Sequence, residues 1–385
     1  MSGLVEAFPA QRAAAIVELG AITENCAALK ARLAAATRLC AVVKANGYGH
    51  GAEPSARAAL AGGAELLAVA AATEAFELRE SFPETPILLL GALGDAELDV
   101  ALAARAEISV WEPQFLSEVA LRAARLGVRP RIHVKYDTGM GRLGARDPAV
   151  VEALLAQAGA DDAVESAGLW THFATADEDD QTYLDAQLER FTVLAAAARE
   201  RLPNLLIHAA NSAATIRRPE SHFDMVRCGV AIYGLDPFGA DPTASGLRPA
   251  MSLVSSIAAI RRCERGDSVG YGRRWHAESP TVVATVPIGY GDGYRRALTN
   301  NAEVLIAGRR YPVIGTVSMD NIAVDLGSQT TLSPGEPVIL IGRDGDQRIS
   351  AEELAGRLGT INYEVTCGLT TRVPRIHLGP AAPPR

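Results

Sequence analysis

From Gly20 to about Val230 the chain alternates between two textures. Alanine-rich amphipathic segments, such as ITENCAALKARLAAA, carry the three-and-four spacing of a helix that buries one face. Between them lie short, nearly continuous apolar or β-branched runs of the kind found in strands buried on both sides. Eight such runs occur: RLCAVVK, ELLAVAA, PILLLG, EISVW, PRIHVKY, AGLWTHF, NLLIHAA and DMVRCG. Eight strands with intervening helices over roughly 200 residues fit an α/β chain folded as a (β/α)8 barrel better than an open doubly wound sheet. After about Asp236 the texture changes. SLVSSIAAIRRC, TVVATVPIG, AEVLIAG, YPVIGTV, NIAVDLG and EPVILIG are short strands punctuated by Gly, Pro, Asp and Asn, with one clear helix in SAEELAGRLG. This predicts a mostly β second domain, joined through DPFGADPTASGLRP. The expected division is a barrel over residues 12–240 and a β-rich domain over 241–385, with residues 1–11 packing on the latter.

A chain of 385 residues favours two domains over one and leaves room for a sizeable core. Lys and Arg total 37 against 45 Asp and Glu, a net charge of −8. That balance argues against nucleic acid or an anionic membrane as the main partner. No apolar run is long enough to span a bilayer. The first twenty residues carry an early acid and lack a basic segment followed by an apolar one, so no secretory signal is expected. Five scattered cysteines without CxxC spacing fit a reducing cytoplasm and neither a disulfide framework nor a metal site.

The stretch AVVKANGYGHG puts a lysine at the end of a buried-looking run and three glycines after it. Lys44 could reach into water, or it could point inward at something reactive. In a barrel the active site lies at the C-terminal strand ends. Those ends carry Lys44, Lys135 followed by DTGMGR, His172, the NSAAT segment, and Arg227 before Cys228 and Gly229. Cationic and hydrogen-bonding groups at five strand ends point to an anionic ligand at the barrel mouth. The NGYGHG glycines allow close backbone approach, but their spacing is not that of a dinucleotide fingerprint. Ser212 and the Cys228-Gly229-Val230 turn offer a hydroxyl and free N–H groups where barrels commonly seat phosphate. A reactive lysine opposite a phosphate seat is the requirement of pyridoxal 5′-phosphate.

AVVKANGYGHG, VKYDTGMGRLG, THFATADE, HAANSAAT, VRCGVAIYGL, VGYG, PIGYGDGYRR, GTVSMDN and INYEVTCGLTTRVPR occur in that order from near residue 14 to about 378. Together they resemble the alanine racemase family, pyridoxal-phosphate enzymes of fold type III. The resemblance implies a Schiff base at Lys44 and two opposed bases, Lys44 and Tyr271, interconverting L- and D-alanine and supplying D-alanine for peptidoglycan. It implies cofactor contacts from Tyr48, His172, Asn211, Ser212, Arg227, Gly229, Val230 and Tyr363. His172 and Arg227 would assist Tyr271, and Arg227 would face the pyridine nitrogen. Arg142, Met319 and Tyr290 would hold the substrate, Asp320 would lie beside the site, and Lys135 is a carbamylation candidate. No metal is implied. A cytoplasmic homodimer sharing its active sites is.

Three other functions compete with this one. A pyridoxal-phosphate homeostasis protein has a similar barrel and lysine, but it lacks the roughly 140 further residues and a second base. A decarboxylase of the same fold type needs a catalytic cysteine near the C-terminus, and the surroundings of Cys367, TCGLTTR, do not match. A racemase of larger or broader amino-acid specificity is the third.

Overall fold

The structure, a computed structural model, describes residues 12–379. Its first strand is β1 (Ala13–Glu18). The barrel follows as β2 (Arg38–Val42), β3 (Leu66–Val69), β4 (Ile87–Leu89), β5 (Glu107–Val110), β6 (Arg131–Lys135), β7 (Glu165–Trp170), β8 (Leu206–His208) and β9 (Met225–Cys228). These are the eight strands expected from the apolar runs, all parallel, with β9 closing onto β2 through Leu39 opposite Val226. Leu67, Leu88, Ile108 and Ile132 are fully buried, as strands packed on both faces require.

Local chemistry sets the helix limits. Helix Pro113–Leu126 starts with proline at its first turn and stops at Gly127, whose φ of 65° suits a residue without a Cβ. Helix Pro148–Ala160 follows Asp147, whose carboxylate accepts from the Ala149 N–H at 2.9 Å.

The remaining strands are β10 (Met251–Ser256), β11 (Ala259–Cys263), β12 (Thr281–Val286), β13 (Ala302–Ile306), β14 (Arg309–Ile314), β15 (Ile322–Gly327), β16 (Pro337–Asp344), β17 (Gln347–Ile349) and β18 (Arg375–Leu378). The single run SLVSSIAAIRRC is therefore two strands. At Ile257 and Ala258 the chain switches partners, bonding Glu336 and then Thr285, and crosses to the far edge of the sheet. A short helix over Asn362–Cys367 adds to the one expected at Ala351–Leu358.

The boundary at residue 12 needs correcting. β1 is no part of the barrel: it lies in the β-rich sheet, antiparallel to β10 and parallel to β18. Ala15 sits opposite both Leu253 and Arg375, partners that no local pattern in AAAIVE encodes. The chain thus starts its described course in one domain, forms the barrel, and returns. One hydrophobic core runs from the barrel into the sheet. The placement expected for residues 1–11 lies outside the described residues.

Candidate active site

The C-terminal ends of the barrel strands surround a cavity of about 490 Å³. After β2 the chain does not turn in the ordinary way. Ala45, Asn46, Gly47 and Tyr48 have φ values of 51, 52, 62 and 51°. They form one turn of left-handed helix, closed by Gly47 N–H to Val43 and Gly49 N–H to Ala45. Left-handed backbone costs roughly 1–2 kcal/mol for each non-glycine residue. Neighbours offset this. Ala45 N–H donates to Glu74 at 2.6 Å, and Ala52 N–H to Asn46 Oδ1 at 3.0 Å. From the β domain, Arg375 donates to the Gly49 carbonyl at 2.9 Å, and the His377 ring lies 2.8 Å from the His50 carbonyl. The glycines serve this path. A Cβ on Gly49 would lie 2.8 Å from the Thr366 carbonyl carbon, with its oxygen closer still.

The turn brings Lys44 into the cavity with Lys135 from β6 and Arg142 from the following loop. Burial first, then Arg142, depresses the Lys44 amine below its usual range. Lys135 is depressed further, to about 7, by burial and by the charges of Arg142 and Arg227. Arg142 makes no hydrogen bond or ion pair among the described residues. Both lysines thus tend toward the neutral amine, the form that reacts with carbonyl groups.

Arg227 projects inward from β9 and is buried, which lowers its guanidinium to about 10, so it stays charged near neutrality. Its nitrogens reach the Thr171 and Ala209 carbonyls at 2.8 and 2.9 Å, His208 Nδ1 at 3.0 Å and His172 Nδ1 at 3.3 Å. Arginine can only donate, so His172 Nδ1 accepts and any proton on a neutral His172 ring sits on Nε2. Burial and the charge of Arg227 hold His172 well below its usual range, in the neutral form.

Also on the cavity, Ser212 Oγ accepts from Gly229 N–H at 3.0 Å and Ala231 N–H at 3.3 Å. Tyr48 packs between Tyr233 and Tyr363, and a Cβ on Gly229 would run into the Tyr48 phenol. Val230 lines it too. Asn211 lies on the cavity, though its side chain caps helix Ser212–Arg217 by accepting from Ala214 N–H.

Three expected residues are elsewhere. Tyr271, Tyr290 and Met319 line no part of this cavity; they are 74%, 41% and 51% exposed on the β domain. The segment Thr316–Met319 reaches both neighbouring turns: Thr316 Oγ1 donates to the Tyr271 carbonyl at 2.6 Å, and Gly291 N–H to the Met319 carbonyl at 2.9 Å. Asp320 joins this patch, ion-paired with Arg372 at 2.6 Å.

No sequence pattern singles out Trp170 or Glu74, and Cys367 enters there only as the cysteine of the decarboxylase alternative. Trp170 forms part of the cavity wall, with Lys135 Nζ 4.3 Å and the Arg227 guanidinium 4.8 Å from its ring centre, while its buried indole N–H has no partner among the described residues. Its place in AGLWTHF, two residues before His172, is the available signal. Cys367 lines the cavity from the C-terminal helix.

Comparisons with known proteins converge. The alanine racemase N-terminal domain family matches residues 17–237 and the alanine racemase C-terminal domain family residues 250–377. The chain is 42% identical to an alanine racemase of Symbiobacterium thermophilum over 95% of its own length and 97% of that protein's. It is 40% identical to alanine racemase 1 of Bacillus subtilis, covering 94% and 92% of the two chains. A crystal structure of alanine racemase from Streptomyces lavendulae, 36% identical, superposes with a TM-score of 0.91 over 97% of this chain and 98% of that one. The match spans both domains and the turn that carries Lys44, and the chain belongs to the alanine racemase family.

Proposed function

We propose that the protein is an alanine racemase that uses pyridoxal 5′-phosphate, with Lys44 as the covalent attachment point and Lys44 and Tyr271 as opposed bases. The observation that carries the reading is one cavity lined together by a depressed lysine, a buried arginine and the hydroxyl and backbone of Ser212, Gly229 and Val230. The lining of Lys44, Lys135, Arg142 and Arg227, with the Ser212 hydroxyl beside them, fits an anionic ligand with several acceptor atoms.

When bound, the cofactor supplies an aldehyde for amine attachment and a ring that stabilises negative charge at the substrate α-carbon. Ser212, Gly229, Val230, Tyr48 and Tyr363 would hold its phosphate. Arg227, charged and able only to donate, would meet the ring nitrogen and keep it unprotonated. Lys44 Nζ takes or returns a proton on one face. A tyrosine base needs help, because its usual pKa lies near ~10. His172 Nε2–H, held by Arg227 on the other ring nitrogen, can donate to the phenolic oxygen of Tyr271 on the opposite face. The exposure of Tyr271, Tyr290 and Met319 supports a homodimer in which these side chains complete the partner's cavity. Arg142 would bind the substrate carboxylate or the cofactor's phenolic oxygen, and the product would serve peptidoglycan synthesis in the cytoplasm.

The test is loss of optical rotation of L-alanine with purified protein, alongside its visible absorption. Lys44→Ala is expected to lose both the absorption band and nearly all activity. An intact band in that variant would overturn the assignment, and carbon dioxide release without racemisation would favour a decarboxylase.

A further inference from the structure

Arg227 is a buried guanidinium with no carboxylate bonded to it among the described residues: its partners there are two carbonyls and two imidazoles. Buried charges are ordinarily compensated. The compensation lies one step further into the barrel. His208 Nε2 is 2.9 Å from His133 Nδ1, and His133 Nε2 is 2.7 Å from a Glu107 carboxylate oxygen. All three side chains are buried. Proton positions along this line follow from arginine's inability to accept. His208 Nδ1 accepts from Arg227, so the His208 proton is on Nε2. His133 Nδ1 must then accept it, which leaves the His133 proton on Nε2, donated to Glu107. Every bond points the same way, from a cation at the barrel mouth to an anion near its floor.

The fold makes room for this line. A Cβ on Gly168 of β7 would come within 2.6 Å of the His133 ring, and the register of β6 against β7 shifts between Ile132 and His133. Trp170 stacks parallel to His208, its ring 5.8 Å away. Arg131 also faces Glu107, at 3.1 Å, and helps hold it ionised.

We propose that Glu107 is a positioning residue for Arg227, acting through His133 and His208: as the anionic acceptor at the end of the line it holds in place the two imidazoles whose tautomers Arg227 sets, and thereby the direction of the guanidinium that meets the cofactor ring. This rests on the reading of Arg227 above. The chain has seven histidines, so nitrogen-15 histidine labelling gives a tractable spectrum of the holoenzyme. Both His133 and His208 are expected as neutral, Nε2-protonated rings. Glu107→Gln should perturb the nitrogen signals of both, shift the visible absorption of the bound cofactor, and lower kcat roughly tenfold, as outer partners of functional groups commonly do. KM should change by less than about twofold, and Glu107→Asp should recover part of the loss. An Nδ1-protonated or doubly protonated His133 or His208 in the unaltered protein would overturn the proposal, even if Glu107→Gln failed to fold. So would a folded Glu107→Gln protein with native spectrum and turnover. Absent cofactor or racemisation in the unaltered protein would instead sink the functional reading and leave the tautomer pattern standing.

Discussion

At the scale of single residues the cavity is a concentration of positive charge with little to balance it. Lys44, Lys135, Arg142 and Arg227 face one space, and Arg142 has no anionic partner among the described residues. Lys135 responds most, its amine falling to about 7. An amine reacts with carbon dioxide only when unprotonated, and the product carbamate is an anion. Below pH 7 Lys135 is mainly ammonium and cannot react; above it the neutral amine predominates, far below the pH at which an exposed lysine would reach that state. Carbamylation would therefore turn a crowded neutral amine into an anionic acceptor for Arg142. Protein equilibrated with carbon-13 bicarbonate is expected to show a carbamate resonance that grows as pH rises through 7 and disappears in Lys135→Ala. A resonance equally strong well below pH 6, or unchanged in that variant, would refute the assignment.

At the scale of elements the left-handed turn after Lys44 is the local solution that the rest of the fold must hold. Two glycines of similar conformation show how differently such positions behave. Gly127 ends a helix at φ 65° with nothing near its missing Cβ, so Gly127→Ala should cost about 1 kcal/mol and leave activity unchanged. Gly49 has φ 84° and faces the Thr366 carbonyl, so Gly49→Ala must push apart the turn and the helix Asn362–Cys367. A loss of about 1–3 kcal/mol is expected, with weaker cofactor retention, read by thermal unfolding and cofactor absorbance. Equal behaviour of the two variants would contradict this account. The strands, the strand-end groups and the glycine-rich run were legible because each is written within a dozen neighbouring residues. The left-handed path, the grip of Arg375 on Gly49, β1's place in the sheet and the Glu107 line were not. Each joins residues from separate segments, and RIHV or AAAIVE reads simply as apolar strand.

At the scale of the whole molecule the predicted site divides between two surfaces of one chain, a cavity in the barrel and the Tyr271 patch on the β domain. A two-base reaction needs both at one α-carbon, and a symmetric dimer is the simple way to join them, with each cavity completed by the partner. The consequence can be tested without seeing the dimer. Lys44→Ala and Tyr271→Phe proteins, each nearly inactive, are unfolded together and refolded with cofactor. In a mixed dimer one site collects both lesions and is dead. The other pairs an intact Lys44 with an intact Tyr271 and should work. Random pairing makes half the dimers mixed, each with one live site of two, so ~25% of all sites should recover. If Tyr271 served its own chain, every site would keep one lesion and mixing would restore nothing. Differently tagged chains, copurified through both tags, establish that mixed dimers formed. Activity near zero in that fraction would rule out the shared site.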